Sequence, residues 1–271
     1  MNLQLEALPW ESLLAELTNS VPDWTVFKHL DRALSGRGDL DAAAPRHSWG
    51  GVTATVADWF LGARPDAVVV PCDHVSDVRV LLLVDPDRLP VVDEVDLLSV
   101  SSLKGAPWAR AEDLASLSSV GPYGRTLRPG AQSVVLALMY GLDYKGNVRI
   151  PDRELAAVRR GACEDPEGVD LAVRVLLPKV AGRWAGRVAA DIRSEAGEVR
   201  RSRALVAALL ASALMHPVHL VSRLEFRSRR PCPVAELALH RGRRLPPDDL
   251  ERFLTDVSVK HRVIRAMSVP R

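Results

Sequence analysis

Between Ala67 and Leu98 the chain runs through three short apolar segments, Ala67 to Val75 (AVVVPCDHV), Val78 to Val84 (VRVLLLV) and Leu89 to Leu98 (LPVVDEVDLL), each stopped by a turn. Segments of this length, rich in valine, read as strands, and Asp85-Pro86-Asp87 suits a hairpin connection between the second and third. Ahead of them, Trp10 to Leu17 has helical spacing, Trp24 to Leu30 reads as a strand, Asp39-Leu40-Asp41 suits a short strand, and Trp49 to Leu61 fits an amphipathic helix. From Ala111 onward the period changes. Gln132 to Tyr140, Arg153 to Arg160, Gly168 to Ile192, Arg203 to Met215, Val234 to His240 and Asp248 to Ile264 carry apolar residues at spacings of three and four. The expectation is a mixed α/β or α+β domain on a largely antiparallel sheet over residues 1–110, then an all-helical domain over residues 111–271.

Composition excludes several classes. With 47% hydrophobic and 26% charged residues, 17 Gly and 19 Pro, the 271-residue chain is neither disordered nor of low complexity. Its longest near-apolar run, Ala204 to Met215, is shorter than the roughly 18–20 residues of a bilayer span. No membrane partner is expected. The N-terminal stretch carries Glu6 and Glu11 where a secretion signal has a basic start and an apolar stretch, so a cytoplasmic protein is expected. Cys72, Cys163 and Cys232 are scattered and form no CxxC pair, which argues for reduced thiols over a disulfide framework or a zinc knuckle.

The net charge of +2 hides two unlike halves. Residues 1–150 hold 13 Lys and Arg against 19 Asp and Glu, a net of −6, and residues 151–271 hold 23 against 15, a net of +8. An acidic half that holds metal ions and a basic half that meets phosphates suit an enzyme acting on nucleotides or nucleic acid, and two ordinary solvated surfaces account for the same numbers.

The chemistry concentrates in Gly36-Arg37-Gly38-Asp39-Leu40-Asp41. Two aspartates at i and i+2 on a strand point to the same face about 7 Å apart, which suits joint ligation of divalent cations. The third apolar run supplies Asp93, Glu94 and Asp96, with Asp96 between Val95 and Leu97 in an alternating stretch. Three carboxylates holding two magnesium ions bind a triphosphate, activate an attacking hydroxyl and stabilise a leaving pyrophosphate.

The stretches WTVFKHLDRALSGRGDLD, HSWGG, ADWF, VDLLSVSSLKGAPWARAEDL and LRPGAQSVVLAL resemble uncharacterised bacterial proteins of the nucleotidyltransferase superfamily, which share the DNA polymerase β palm. The resemblance covers roughly Val21 to Tyr140. It implies an α+β fold, a nucleotidyltransferase-like mixed sheet with flanking helices followed by an all-helical domain. It further implies Mg2+ as cofactor and a nucleoside triphosphate as donor. Asp39 and Asp41 correspond to the paired metal ligands of the family and Asp96 to the third. These enzymes carry a Gly-Ser pair about ten residues before the Asp-x-Asp, on a turn whose amides hold the triphosphate. Lys28-His29 stands there in this chain. Lys28 and Arg37 are the alternative cations for a phosphate, and the Gly36 and Gly38 amides an alternative anion nest. The implied reaction is transfer of a nucleoside monophosphate to an unknown acceptor, a small molecule or an RNA or tRNA end. The alternative is a catalytically degenerate nucleotide- or RNA-binding accessory protein.

Other candidates are weaker. Arg37-Gly38-Asp39 spells an integrin-binding tripeptide, a coincidence in a chain without a secretion signal. Cys72-Asp73-His74 places two soft ligands at strand spacing but lacks the two further ligands of a zinc site. His216 and His219 end an apolar helix, where histidines commonly cap carbonyls. Neither Cys163 nor Cys232 has the flanking residues of a catalytic nucleophile. The clusters Arg200-Arg201-Ser202-Arg203, Arg227-Ser228-Arg229-Arg230 and Arg241-Gly242-Arg243-Arg244 suit phosphate forks, with Phe226 the nearest ring, and each also falls at an apparent helix boundary where a solvated turn is ordinary.

Overall fold

A computed structural model of the 271-residue chain describes residues 8–36, 38–65, 67–75, 77–85, 93–103, 106–141, 150, 152–195, 199 and 203–221. It is an α+β fold with a mixed sheet and flanking helices. In chain order come α1 (Trp10–Ser20), β1 (Thr25–Lys28), α2 (Leu30–Leu34), β2 (Leu40–Ala43), α3 (Trp49–Ala63), β3 (Val68–Val75), β4 (Val78–Val84), β5 (Asp93–Leu98), β6 (Val100–Leu103) and β7 (Ala106–Arg110). They are followed by α4 (Ala111–Ser116), β8 (Ser118–Gly121), β9 (Gly124–Leu127), α5 (Pro129–Gly141), α6 (Asp152–Glu164), α7 (Pro166–Leu176), α8 (Ala185–Arg193) and α9 (Arg203–Met215).

Seven strands pair in the order β3-β4-β5-β2-β1-β9-β8, and β6 with β7 forms a separate ribbon. The three apolar runs of the sequence are β3, β4 and β5, joined antiparallel, with Val78 opposite Leu98 and Leu83 opposite Asp93. The sheet is largely antiparallel, as expected, with two parallel junctions that make it mixed: β2 runs parallel to β5 and β1 parallel to β9. Alternation along a strand fixes which face each side chain takes but carries nothing about the direction of its neighbour. The helical stretch expected from Ala111 is also interrupted, since β8 and β9 extend the sheet beyond residue 110. The expected helical run from Gly168 to Ile192 breaks after Leu176, where Pro178 cannot donate the next helical hydrogen bond and a 3-10 turn, Lys179–Trp184, leads into α8. The stretches Val234 to His240 and Asp248 to Ile264 lie outside the described residues.

Period-two alternation divides the sheet between two cores. Val26, Leu40, Ala42, Val69, Leu81, Leu83, Val95 and Leu97 pack with Trp10, Leu13, Leu14 and Leu17 of α1 and Val52, Val56 and Phe60 of α3. Phe27, Ala43 and Leu98 face the other way, into a core shared with Val134 and Leu138 of α5, Val158 of α6, Val173 of α7 and Ile192 of α8. Each fully buried aliphatic or aromatic side chain contributes about 1.5–3 kcal/mol of transfer free energy, so the helices of the second half are bound to the sheet by the same effect that binds α1 and α3. Gly161 of α6 makes the close α5–α6 approach possible, because a Cβ there would stand 2.5 Å from the Pro129 carbonyl oxygen and 2.5 Å from Ser133 Oγ. Among the described residues no helix is long and apolar enough to cross a membrane.

Candidate active site

Asp41 and Asp96 are register partners on the parallel strands β2 and β5. Directly paired residues of adjacent strands project to one side of a sheet, so both carboxyl groups rise from the face that carries Ala43 and Leu98, the face covered by the C-terminal helices. Glu94, two residues before Asp96 on β5, takes the same side by alternation, whereas Asp39 lies just before β2, outside the strand expected for Asp39-Leu40-Asp41, and its charge acts on both Asp41 and Asp96. Across the antiparallel β1–β2 pairing Lys28 is the partner of Asp41, after a register shift between Val26 and Lys28. Its Nζ lies 2.7 Å from Asp41 Oδ1.

The electrostatics follow from this crowding. Burial pushes the Asp96 carboxyl up, with Asp41, Asp39 and Glu94 adding repulsion against the pull of Lys28, to about 7. Asp41 is also raised, by burial first, and the attraction of Lys28 only partly offsets it. For Lys28, burial works against the charged form, yet the charge and hydrogen bond of Asp41, helped by Tyr140 and Asp96, carry it above the usual lysine value. One ammonium therefore faces several carboxyl groups. An excess of hard oxygen donors on one sheet face fits a divalent cation such as magnesium, whose preferred ligands are carboxylate and phosphate oxygens. Among the described residues no group of three or more His, Cys, Asp or Glu side chains is drawn together around a single metal position. The cation that meets Asp41 is Lys28.

Beside these acids lies a second polar group, drawn from residues far apart in the chain. His29 follows β1 with φ 56° and ψ 27°, a left-handed backbone that costs a non-glycine residue about 1–2 kcal/mol. Its Nε2 is 3.1 Å from the Tyr140 hydroxyl of α5 and its Nδ1 3.7 Å from Glu154 Oε2 of α6. Arg32 Nη2 of α2 donates to Glu154 Oε1. Glu154, 1% exposed, is thus buried against Arg32 and His29. Burial lowers the His29 imidazole below its ordinary value, as do Arg32 and Lys28, while Glu154 opposes them. In the sequence Glu154 sits in the first turn of a charged amphipathic helix, where an acid is expected on dipole grounds alone, so its burial has no local signal.

The remaining expected residues fall as follows. Gly36 has φ 65° and its amide donates to the Ala33 carbonyl, so it ends α2. Gly38 precedes Asp39 and packs on Arg32, with 3.3 Å between an added Cβ and Arg32 Cβ. Arg37 lies outside the described residues. The side chains of Cys72, Asp73 and His74 do as well, although their backbone belongs to β3. His219 reaches Asp77 with Nδ1 2.9 Å from Oδ2, tying the end of the C-terminal helices to the β3–β4 turn, and Cys163 is an exposed free thiol. Of the arginine clusters, Arg203 is described and exposed, and the rest lie outside the described residues.

No family model, curated protein or solved structure matches this chain.

Proposed function

We propose that this protein is a magnesium-dependent nucleotidyltransferase that moves a nucleoside monophosphate from a nucleoside triphosphate to an acceptor and releases pyrophosphate. The observation that carries the reading is the register of Asp41 with Asp96 on adjacent parallel strands, with the charge of Asp39 acting on both. On this reading the sheet is a nucleotidyltransferase palm, completed by β8 and β9, and the helices from α5 onward form the helical domain. Magnesium held by Asp39, Asp41 and Asp96 would neutralise the triphosphate and favour ionisation of the acceptor hydroxyl. Asp96, in register with Asp41, is suited to accept or orient the acceptor proton. Lys28 supplies a charge for the phosphates, with Arg37 as a second candidate. The left-handed backbone at His29 adds support, because it is a conformation glycine adopts freely and it falls where the resembled family has its Gly-Ser turn. The acceptor is a hydroxylated small molecule or an RNA end, and the enzyme acts in the cytoplasm.

A second reading is favoured by one contact. Lys28 Nζ occupies Asp41 at 2.7 Å, as a built-in cation does in a catalytically degenerate nucleotide- or RNA-binding relative. Thermal denaturation with each of the four ribonucleoside triphosphates, with and without magnesium, separates the two. A transferase is stabilised by a triphosphate only with magnesium present. Stabilisation that is indifferent to magnesium, or that comes from RNA alone and falls steeply with salt, overturns the transferase reading.

A further inference from the structure

Glu154 opens α6, 122 residues after the Arg32 to which it is bound. A carboxylate this deeply buried persists only when its partners are well placed. Its partners here are Arg32 in the middle of α2 and His29 at the start of that helix, with Tyr140 of α5 closing the group through its hydroxyl on His29 Nε2.

The element being gripped is seated on the core by Ala33, Leu30 and Leu34, and Glu154 holds its polar side. Five residues make little more than one helical turn, α2 has no side-chain cap at its N-terminus, and a helix that short is not stable by itself. A left-handed His29 persists only where the surroundings over-determine it. The position of α2 also matters, because the chain enters it from Lys28 and leaves it through Ser35 and Gly36 towards Asp39 and Asp41.

We infer that Glu154 is a positioning residue: by holding His29 and Arg32 it sets α2, and with it the approach of Asp39 to the Lys28–Asp41 pair fixed by the strands, so that the site takes up a magnesium–triphosphate. This rests on the transferase reading. It also links the sheet's acids to the C-terminal helices through a named carboxylate.

The test uses the full-length protein and its Glu154→Gln variant, which keeps the volume of the side chain. In the first arm, hydrogen exchange without ligand follows the amides of Ala33, Ser35 and Gly36, which donate to His29, Asp31 and Ala33. They exchange faster in the variant while amides of α3 keep their wild-type rates. In the second arm, magnesium is titrated into protein with an equimolar mixture of the four ribonucleoside triphosphates, reading the melting temperature. The magnesium concentration at half-maximal stabilisation rises at least several-fold in the variant, and saturating magnesium restores the full stabilisation. A purely structural residue would lower the melting temperature without ligand and leave that half-point in place. An unchanged half-point overturns the positioning role, and unchanged exchange overturns the grip on α2. A wild type with no magnesium-dependent response overturns the transferase reading and the positioning role together, and faster exchange in the variant then leaves only the grip standing. If Glu154→Gln does not fold, Arg32→Gln, altering the more exposed partner, carries both arms.

Discussion

Asp41 and Asp96 stand opposite one another on two parallel strands contributed by segments more than fifty residues apart, with Lys28 on a third strand pressed against Asp41. Two like charges side by side on one sheet face destabilise the pairing of the strands that carry them, and burial adds to the cost. A fold selected for stability alone would place apolar residues there, as it does at Ala43 and Leu98 on the same strands.

Asp39→Asn separates chemistry from folding. Asp39 is exposed, so the change moves the melting temperature little. The expected outcome is loss of both turnover and magnesium-dependent stabilisation by a triphosphate, measured as pyrophosphate release and as thermal shift. Unimpaired pyrophosphate release would sink the metal-ligand assignment.

Asp96 makes the metal-free protein pH-sensitive. Its carboxyl lies near 7 in the folded chain against 3.8 for the ordinary group, so the folded state binds the proton more tightly. The contribution is fully favourable below about pH 4 and is lost as pH rises to about 7, by at most about 4 kcal/mol. Asp96→Asn removes this dependence. Urea denaturation at pH 8 in chelator should show the variant more stable than wild type, with the gap closing by pH 4.

Lys28 and Asp41 form a buried ion pair, so each loses more alone than both lose together. Lys28→Met at pH 8 leaves a buried carboxylate and costs about 3 kcal/mol. Asp41→Asn leaves the ammonium facing Asp96, at a smaller cost. The double variant falls short of the sum by more than about 1 kcal/mol, read from a double-mutant cycle in urea. Additive losses would mean that the 2.7 Å contact carries no coupling.

Gly161→Ala tests the helical packing behind the site. The new methyl meets a backbone carbonyl that cannot swing aside, so α5 and α6 must separate, at a cost of about 1–3 kcal/mol. Thermal denaturation of the variant checks this, and an unchanged melting temperature would show that the two helices are not in close contact there.

Much of the sheet is legible in the sequence because local period and burial agree. Val68–Val75 and Val78–Val84 are dense in valine and leucine, and β4 is buried along most of its length. The faces of Asp41 and Asp96 are legible for a related reason: a charged residue set inside an alternating apolar stretch has a definite face, whereas Asp39 falls just outside its strand. What escapes is whatever depends on partners far along the chain. Ser118–Gly121 and Gly124–Leu127 are too short and polar to show a period, and they become strands because Val26 of β1 offers them an edge. Glu154 reads as an ordinary helix-start acid until α6 is laid against α2. His29 carries no mark of its left-handed backbone, which is imposed by the turn from β1 into α2.

The last strand to join the sheet beside β1 is β9, and the carboxylate that grips α2 comes later still. A nascent chain that has emerged as far as β7 therefore has its acids in hand but leaves the outer edge of β1 bare, open to pairing with another copy. The order of synthesis thus makes the unfinished polypeptide adhesive, and expression of a fragment ending at residue 110 yields aggregate rather than a folded monomer.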